Sequence, residues 1–179
     1  MAYALPVACL VVVLGAMFLS DTEDASAAAF QRELTPEQLT FASQGIVLED
    51  DGAISQLVVT DYRCPACKTL VERSRTLGAV LHINNHKGSM EAHELGLCVH
   101  RADPGMYARF ERDFYALGAP ELRRRLGNVD GLSECLNDPA TRRRLEAEHR
   151  LGVELGARVT PTRVTLIGTP ASPRAQGAK

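Results

Sequence analysis

The spacing of apolar and polar positions changes character several times along the chain. Ala4 to Leu19 is almost unbroken apolar sequence, interrupted only by Pro6 and carrying no charge. Residues 20 to 35 are rich in Ala, Ser and acids with no apolar period, the pattern of a linker or the start of a mature chain. Short β-rich runs come next. Ile46-Val47-Leu48, the turn-forming Glu49-Asp50-Asp51-Gly52 and Ile54 to Thr60 predict a hairpin whose second arm, Leu57-Val58-Val59-Thr60, is central. Lys68 to Leu77 then reads as a helix, with Leu70, Val71 and Leu77 toward a core and Gly78 as its stop. Ala79 to Ile83 is a second short strand.

From about Ser89 to Leu155 the period becomes helical. Met90 to Val99 predicts one helix, and Gly105 to Leu117 another, with Met106, Tyr107, Phe110, Phe114 and Leu117 three and four apart. Pro120 to Leu126 and Leu132 to Leu136 are shorter pieces. Asp138-Pro139 supplies an N-cap and a first-turn proline for a long helix with Ala147, Leu151 and Leu155 on one face. Val159 to Ile167 returns to β structure, and the residues after Gly168 have the composition of a disordered tail.

The chain has 179 residues, 45% hydrophobic and 23% charged, which fits one buried domain plus tails. A net charge of -2 gives no reason to expect nucleic acid as a partner. The basic run Arg123-Arg124-Arg125 has acidic neighbours and reads as a solvated face. The apolar N-terminus suits a signal-peptide core, with Ala25-Ser26-Ala27 as cleavage site; it is close to the roughly 17 residues a spanning helix needs at minimum. Cleavage and retention as an anchor stand level, because Met1 to Leu5 carry no Lys or Arg and acids lie between the apolar run and that site. Either places the rest of the chain outside the cytoplasm, in a periplasmic or other extracytoplasmic compartment. The expected organisation is therefore a signal peptide or anchor at 1–27, a linker at 28–38, a domain at 39–168 with a helical insertion at about 89–155, and a tail at 169–179. Cys9 reads as apolar filler.

Four cysteines remain: Cys64, Cys67, Cys98 and Cys135. An even set suits an oxidising compartment. Cys64-Pro65-Ala66-Cys67 falls where a buried strand meets a helix. A sulfur at a helix N-terminus is stabilised as thiolate by the backbone N–H groups and the dipole, so Cys64 is the expected attacking sulfur and Cys67, one turn inside, the resolving one. Pro65 suits the first turn, where no donor is needed. Zinc is the rival, since His82 and His86 follow at close to a two-Cys two-His spacing. The predicted order is reversed, however, with cysteines opening a helix and His82 in a strand, so no metal is expected. His93, His100 and His149 read as surface or helix-face residues. Asp61 reads as a surface turn residue, with assistance to proton transfer from Cys67 as the alternative.

Val58 to Cys67, the helical stretch and Leu155-Gly156-Ala157-Arg158-Val159-Thr160-Pro161-Thr162 together resemble the thioredoxin-fold, DsbA-type thiol-disulfide oxidoreductases. The resemblance covers roughly residues 45 to 168. It implies an α/β fold, a thioredoxin-like central sheet with an inserted helical subdomain. It also implies that Pro161 is cis and packed opposite the dithiol, and that Thr160 offers its backbone to a substrate, with Pro65 and Ala66 completing the contact. The implied activity is cofactor-free disulfide exchange with cysteine-containing exported proteins, reset by a membrane redox partner. The alternative is a redox-weak substrate-binding or chaperone-like module. Too little chain precedes the first strand for a dimerisation domain, so a monomer is expected. Cys98 and Cys135, both in the helical subdomain, are expected to form a structural disulfide; a second redox relay and two free thiols are the alternatives. Two departures stand out. Ala66 replaces the histidine of the most oxidising members, and the family's last strand and helix are lacking, which predicts a sheet short by one strand.

Overall fold

The computed structural model describes residues 28–48, 54–73 and 78–167. Within them, five strands form one sheet and seven helices cover it. In chain order these are β1 (Ala28–Arg32), α1 (Pro36–Ser43), β2 (Ile46–Val47), β3 (Gln56–Thr60), α2 (Pro65–Arg73), β4 (Ala79–His82), α3 (Ser89–Ala102), α4 (Pro104–Ala116), α5 (Ala119–Leu126), α6 (Leu132–Asn137), α7 (Pro139–Glu154) and β5 (Thr162–Leu166).

The strand order is β1-β5-β3-β4-β2. β3 is central: it runs parallel to β4, with Leu57 opposite Ala79, and antiparallel to β5, with Leu57 opposite Val164. A strand buried on both faces must be apolar at consecutive positions, as Leu57, Val58 and Val59 are. Alternation still sorts the side chains. Leu57, Val59, Ala79, Leu81, Val164 and Leu166 enter a core closed by α1 and the end of α7, through Ala42, Leu151 and Leu155. Val80 enters the opposite core, built from α2 to α6 around Leu95, Tyr107, Phe114 and Leu122. α3 is buried nearly all round, which makes it the axis of the helical layer.

Local chemistry sets the helix starts. Thr35 makes a reciprocal capping box with Gln38 at the head of α1. Asp103 accepts from Met106 N at 2.8 Å to start α4, and Asp138 accepts from Ala140 N at 2.8 Å to start α7, each followed by proline at the first turn. Cys98 and Cys135 are joined as a disulfide linking α3 to α6, with Cα atoms 5.7 Å apart and 37 residues between them in sequence.

Three expectations need correction. The stretch read as a linker from 28 to 38 holds β1 and the first turn of α1. β1 has a single large apolar residue, Phe30, and a mostly exposed pattern, so its order comes from parallel backbone pairing with β5, where Phe30 lies opposite Val164. The sheet is accordingly not short: β1 occupies the edge outside β5. Finally, Ile46–Val47 does not form a hairpin with β3; it pairs antiparallel with β4, Ile46 opposite Val80. Strand propensity identified both segments but carries no information about which neighbour each one meets. The apolar N-terminal run, its cleavage site, Cys9, Leu77 and the tail from 168 lie outside the described residues.

Candidate active site

Between β3 and α2 the chain turns sharply through Asp61, Tyr62 and Arg63. Asp61 O accepts the Cys64 N–H at 2.9 Å, and Asp61 Oδ1 accepts the Arg63 N–H at 2.8 Å. Cys64 thus stands immediately before α2, its own carbonyl accepting the Lys68 N–H at 3.1 Å as the helix begins. Across from it, the Thr160–Pro161 peptide bond is cis. Cys64 Sγ donates to Thr160 O at 3.2 Å, joining residues almost a hundred positions apart. Pro161 is buried, Thr160 half-buried and the neighbouring Val159 exposed. Pro65 is exposed and Ala66 half-buried, so both stand on the rim beside Cys64.

The two thiols differ in setting. Cys64 keeps 6% of its surface exposed, whereas Cys67 keeps none. Burial pushes the Cys67 thiol up to about 12, only partly offset by the polar Thr60 side chain and Asp61 backbone nearby. Thr60 Oγ1 lies in turn 3.1 Å from Tyr115 Oη, both groups being buried.

Asp61 is fully buried, which corrects its reading as a surface turn residue. Its carboxylate receives the backbone N–H of Asn85 at 2.9 Å and of His86 at 3.1 Å, the Ser89 hydroxyl at 2.7 Å and, at 2.9 Å, the His86 ring Nδ1. Burial alone would raise this carboxyl, yet the hydrogen bonds it receives from the Arg63 N–H, His86 and Ser89 hold it well below the usual carboxylate range. The effect is structural: one side chain ties the dithiol loop to the segment between β4 and α3.

His93 lies on a helix face, as one of its two readings had it, with its ring fully buried. Its Nε2 accepts the Tyr62 N–H at 3.2 Å, which leaves Nδ1 to donate to Asn84 Oδ1 at 3.1 Å. Burial lowers its pKa from 6.5 to about 4, so the ring is neutral at pH 7. Behind β4 lies a second buried polar centre with no forewarning in the sequence. Glu148 Oε2 accepts the His82 N–H at 3.2 Å and sits 2.7 Å from His82 Nδ1. Its Oε1 accepts Arg144 Nε at 2.8 Å, and Arg144 also donates to Phe41 O at 2.6 Å while lying over the Phe41 ring. Burial would raise Glu148, but His82 and Arg144 hold it low.

The sequence-derived residues therefore fall into two sites. Cys64, Cys67, Pro65, Ala66, Thr160 and Pro161 come together at the sheet end; Cys98 and Cys135 form their own bridge in the helical layer. Thr60, Tyr115 and His93 were not singled out for the site. Thr60 alone had a visible signal, as the last residue of the strand leading into the dithiol. Among the described residues, no group of three or more His, Cys, Asp or Glu side chains is placed to hold a metal ion. The basic run on α5 is paired: Arg123 with Glu91, Arg124 with Glu121, and Arg125 with Glu121 and Asp113.

No protein-family model and no curated protein matches the sequence. Solved structures do match. Oxidised BdbD from Bacillus subtilis aligns with a TM-score of 0.55 at 17% identity, over 76% of this chain and 85% of that one. A thioredoxin-like oxidoreductase from Silicibacter pomeroyi DSS-3 aligns with a TM-score of 0.54 at 19% identity, over 73% and 85%. The thiol-disulfide exchange protein alpha-DsbA2 from Wolbachia pipientis aligns with a TM-score of 0.51 at 16% identity, over 73% and 87%. At such identities the likeness speaks to the fold, which is thioredoxin-like.

Proposed function

We propose that the chain is an extracytoplasmic protein thiol-disulfide oxidoreductase working through Cys64 and Cys67. The observation that carries this reading is the approach of Cys64 Sγ to Thr160 O beside the cis Thr160–Pro161 bond. It sets a sulfur at a helix N-terminus against a stretch of backbone able to receive an extended peptide.

The chemistry needs no cofactor. The Cys64 thiolate attacks a disulfide of the partner, a mixed disulfide forms and one partner sulfur leaves as thiolate. The Cys67 thiolate then attacks Cys64 Sγ, releasing the second partner sulfur. Oxidation of a dithiol substrate runs the same steps in reverse. The difference in burial suits these roles: the partner reaches Cys64, whereas only Cys64 reaches Cys67. In this reading Thr160 offers backbone groups to the substrate, while Pro161, Pro65 and Ala66 shape the contact. Exported proteins with cysteines are the substrates, a membrane redox partner resets the dithiol, and the protein acts as a monomer. The similar solved structures, a thiol-disulfide exchange protein and a thioredoxin-like oxidoreductase, support the same class. The direction of electron flow follows from the reduction potential of the couple against the resetting partner.

Insulin reduction and oxidative refolding of a reduced substrate test the proposal, with Cys64→Ala as control. Activity in at least one assay that vanishes in the variant is expected. Substrate binding without cysteine-dependent turnover in either assay would replace it with the chaperone-like reading.

A further inference from the structure

We propose that the Cys98–Cys135 bridge is a second thiol-exchange site, opened at Cys135 by a low-molecular-weight thiol that enters a cavity beside the bridge. The two cysteines are not equally reachable: Cys98, on α3, has no exposed surface, whereas Cys135, on α6, is half-buried. A cavity of about 290 Å³ lies against the bridge, lined by both cysteines, Arg101, Ala102, Asp130 and Asp138. Arg101, Ala102 and Asp130 are exposed, so the cavity opens on the surface. Its volume is at the lower end of small-molecule sites. A thiol on a small molecule fits there, whereas the surface of another folded protein does not.

The groups around the sulfurs suit both states of the bridge. Thr141 is 1% exposed, with its hydroxyl oxygen 3.5 Å from Cys135 Sγ and 4.0 Å from Cys98 Sγ. The threonine proton goes to Cys135 O at 2.8 Å, which leaves the oxygen as an acceptor. Once the bridge opens, the Cys98 thiol can donate to that oxygen, so a group shut off from water still has a partner. Arg101 Nη1 donates to the same oxygen at 3.4 Å and has no carboxylate partner among the described residues. A guanidinium this close to the bridge favours arrival of the thiolate, the form that attacks. Asp138 is occupied as the N-cap of α7.

In the first step the small thiol loses its proton to solvent and its thiolate attacks Cys135 Sγ. The Cys98–Cys135 bond breaks, a mixed disulfide forms at Cys135, and Cys98 leaves as thiolate and takes a proton from solvent. A second small thiol attacks the sulfur of the first, so the two leave joined as a disulfide and Cys135 becomes a thiol. The bridge is reduced and the small thiols are oxidised. The same steps in reverse restore the tie between α3 and α6, which is therefore set by the surrounding thiol pool and not by Cys64 and Cys67.

The test uses the full chain carrying Cys64→Ser and Cys67→Ser, so that the dithiol contributes nothing, with the bridge intact. After incubation with β-mercaptoethanol under native conditions, acid quenching and alkylation of the unfolded chain, mass spectrometry should find the small thiol on Cys135 and the alkyl group on Cys98. Urea below the unfolding transition should leave the rate of opening level. Adding Ala102→Trp, which sets an indole into the cavity from an exposed position, should slow opening about tenfold by closing the path to the sulfur, with no change once the chain is unfolded. An adduct on Cys98, or a rate that climbs with urea from the lowest concentrations, would overturn the inference, because the bridge would then open only in unfolded chains. So would native-state opening that Ala102→Trp leaves at the parent rate. None of these results touches the reading of Cys64 and Cys67, which the insulin and refolding assays test separately.

Discussion

At the scale of single residues, burial decides chemistry. Cys64 and Cys67 are three positions apart, yet one meets the surface and the other does not, and in the proposed mechanism this difference divides the attacking role from the resolving one. Asp61 and His93 show the same force acting on stability. The Asp61 carboxyl is held below its ordinary value, so its contribution is present above the ordinary carboxylate range and is lost as pH falls through the lowered folded value. His93 drops from 6.5 to about 4, so between these values the unfolded chain takes up a proton that the folded one refuses. Stability should therefore decline as pH falls from 6.5 toward 4, by up to about 3 kcal/mol from His93 alone. Urea unfolding at several pH values checks this. His93→Asn should flatten the decline, and a wild-type curve already flat over that window would contradict the assignment. Which residues form the dithiol and its proline loop was legible from sequence, because adjacency and the Thr-Pro pair carry the signal. The partners of Asp61 were not: Asn85, His86 and Ser89 reach it from beyond β4, and His93 reaches the dithiol turn from another helix.

At the scale of elements, the helices from α2 onward were legible because each needs only its own apolar stripe and a cap, as Asp138-Pro139 at the head of α7 shows, whereas α1 was not. Strand pairing was not. β1 buries little, and its place beside β5 depends on backbone groups whose demand for partners no side-chain pattern records. One helix position makes a sharp test of packing. A Cβ on Gly96 of α3 would lie 2.7 Å from the ring and hydroxyl of Tyr62, whose hydroxyl is paired with Tyr107 at 2.7 Å. Both are fully buried, so the ring has no room to retreat. Gly96→Ala should cost about 1 to 3 kcal/mol by overpacking despite its better helix propensity. Thermal melts read that loss, and a variant melting at or above wild type would show that Tyr62 moves freely. At the sheet edge, Phe30→Ala in β1 should lower stability by about 1 kcal/mol or more from lost apolar burial, whereas a true linker would tolerate it without change in denaturant midpoint.

For the whole molecule, the Cys98–Cys135 bridge and the free thiols of Cys64 and Cys67 lie on different elements, and the proposed function gives them different tasks. Cys98–Cys135 ties α3 to α6 inside the helical layer, and closing 37 residues is worth about 3 to 4 kcal/mol by loop entropy. The Cys98→Ala/Cys135→Ala double variant should lose stability of that order in denaturant titrations yet keep Cys64-dependent turnover. Loss of turnover in a folded double variant would instead make the second bridge part of the redox path. The two cores and the parallel β3–β4 pair serve one end: they hold the start of α2 opposite the cis-proline loop. The claim that this juncture is an exchange site is tested most directly by trapping. Cys67→Ser, mixed with a cysteine peptide in disulfide form, removes the resolving sulfur and should accumulate a peptide adduct at Cys64, located by mass spectrometry and absent when Cys64 is also replaced. A Cys67→Ser protein that stays folded and forms no adduct at Cys64 would contradict the account.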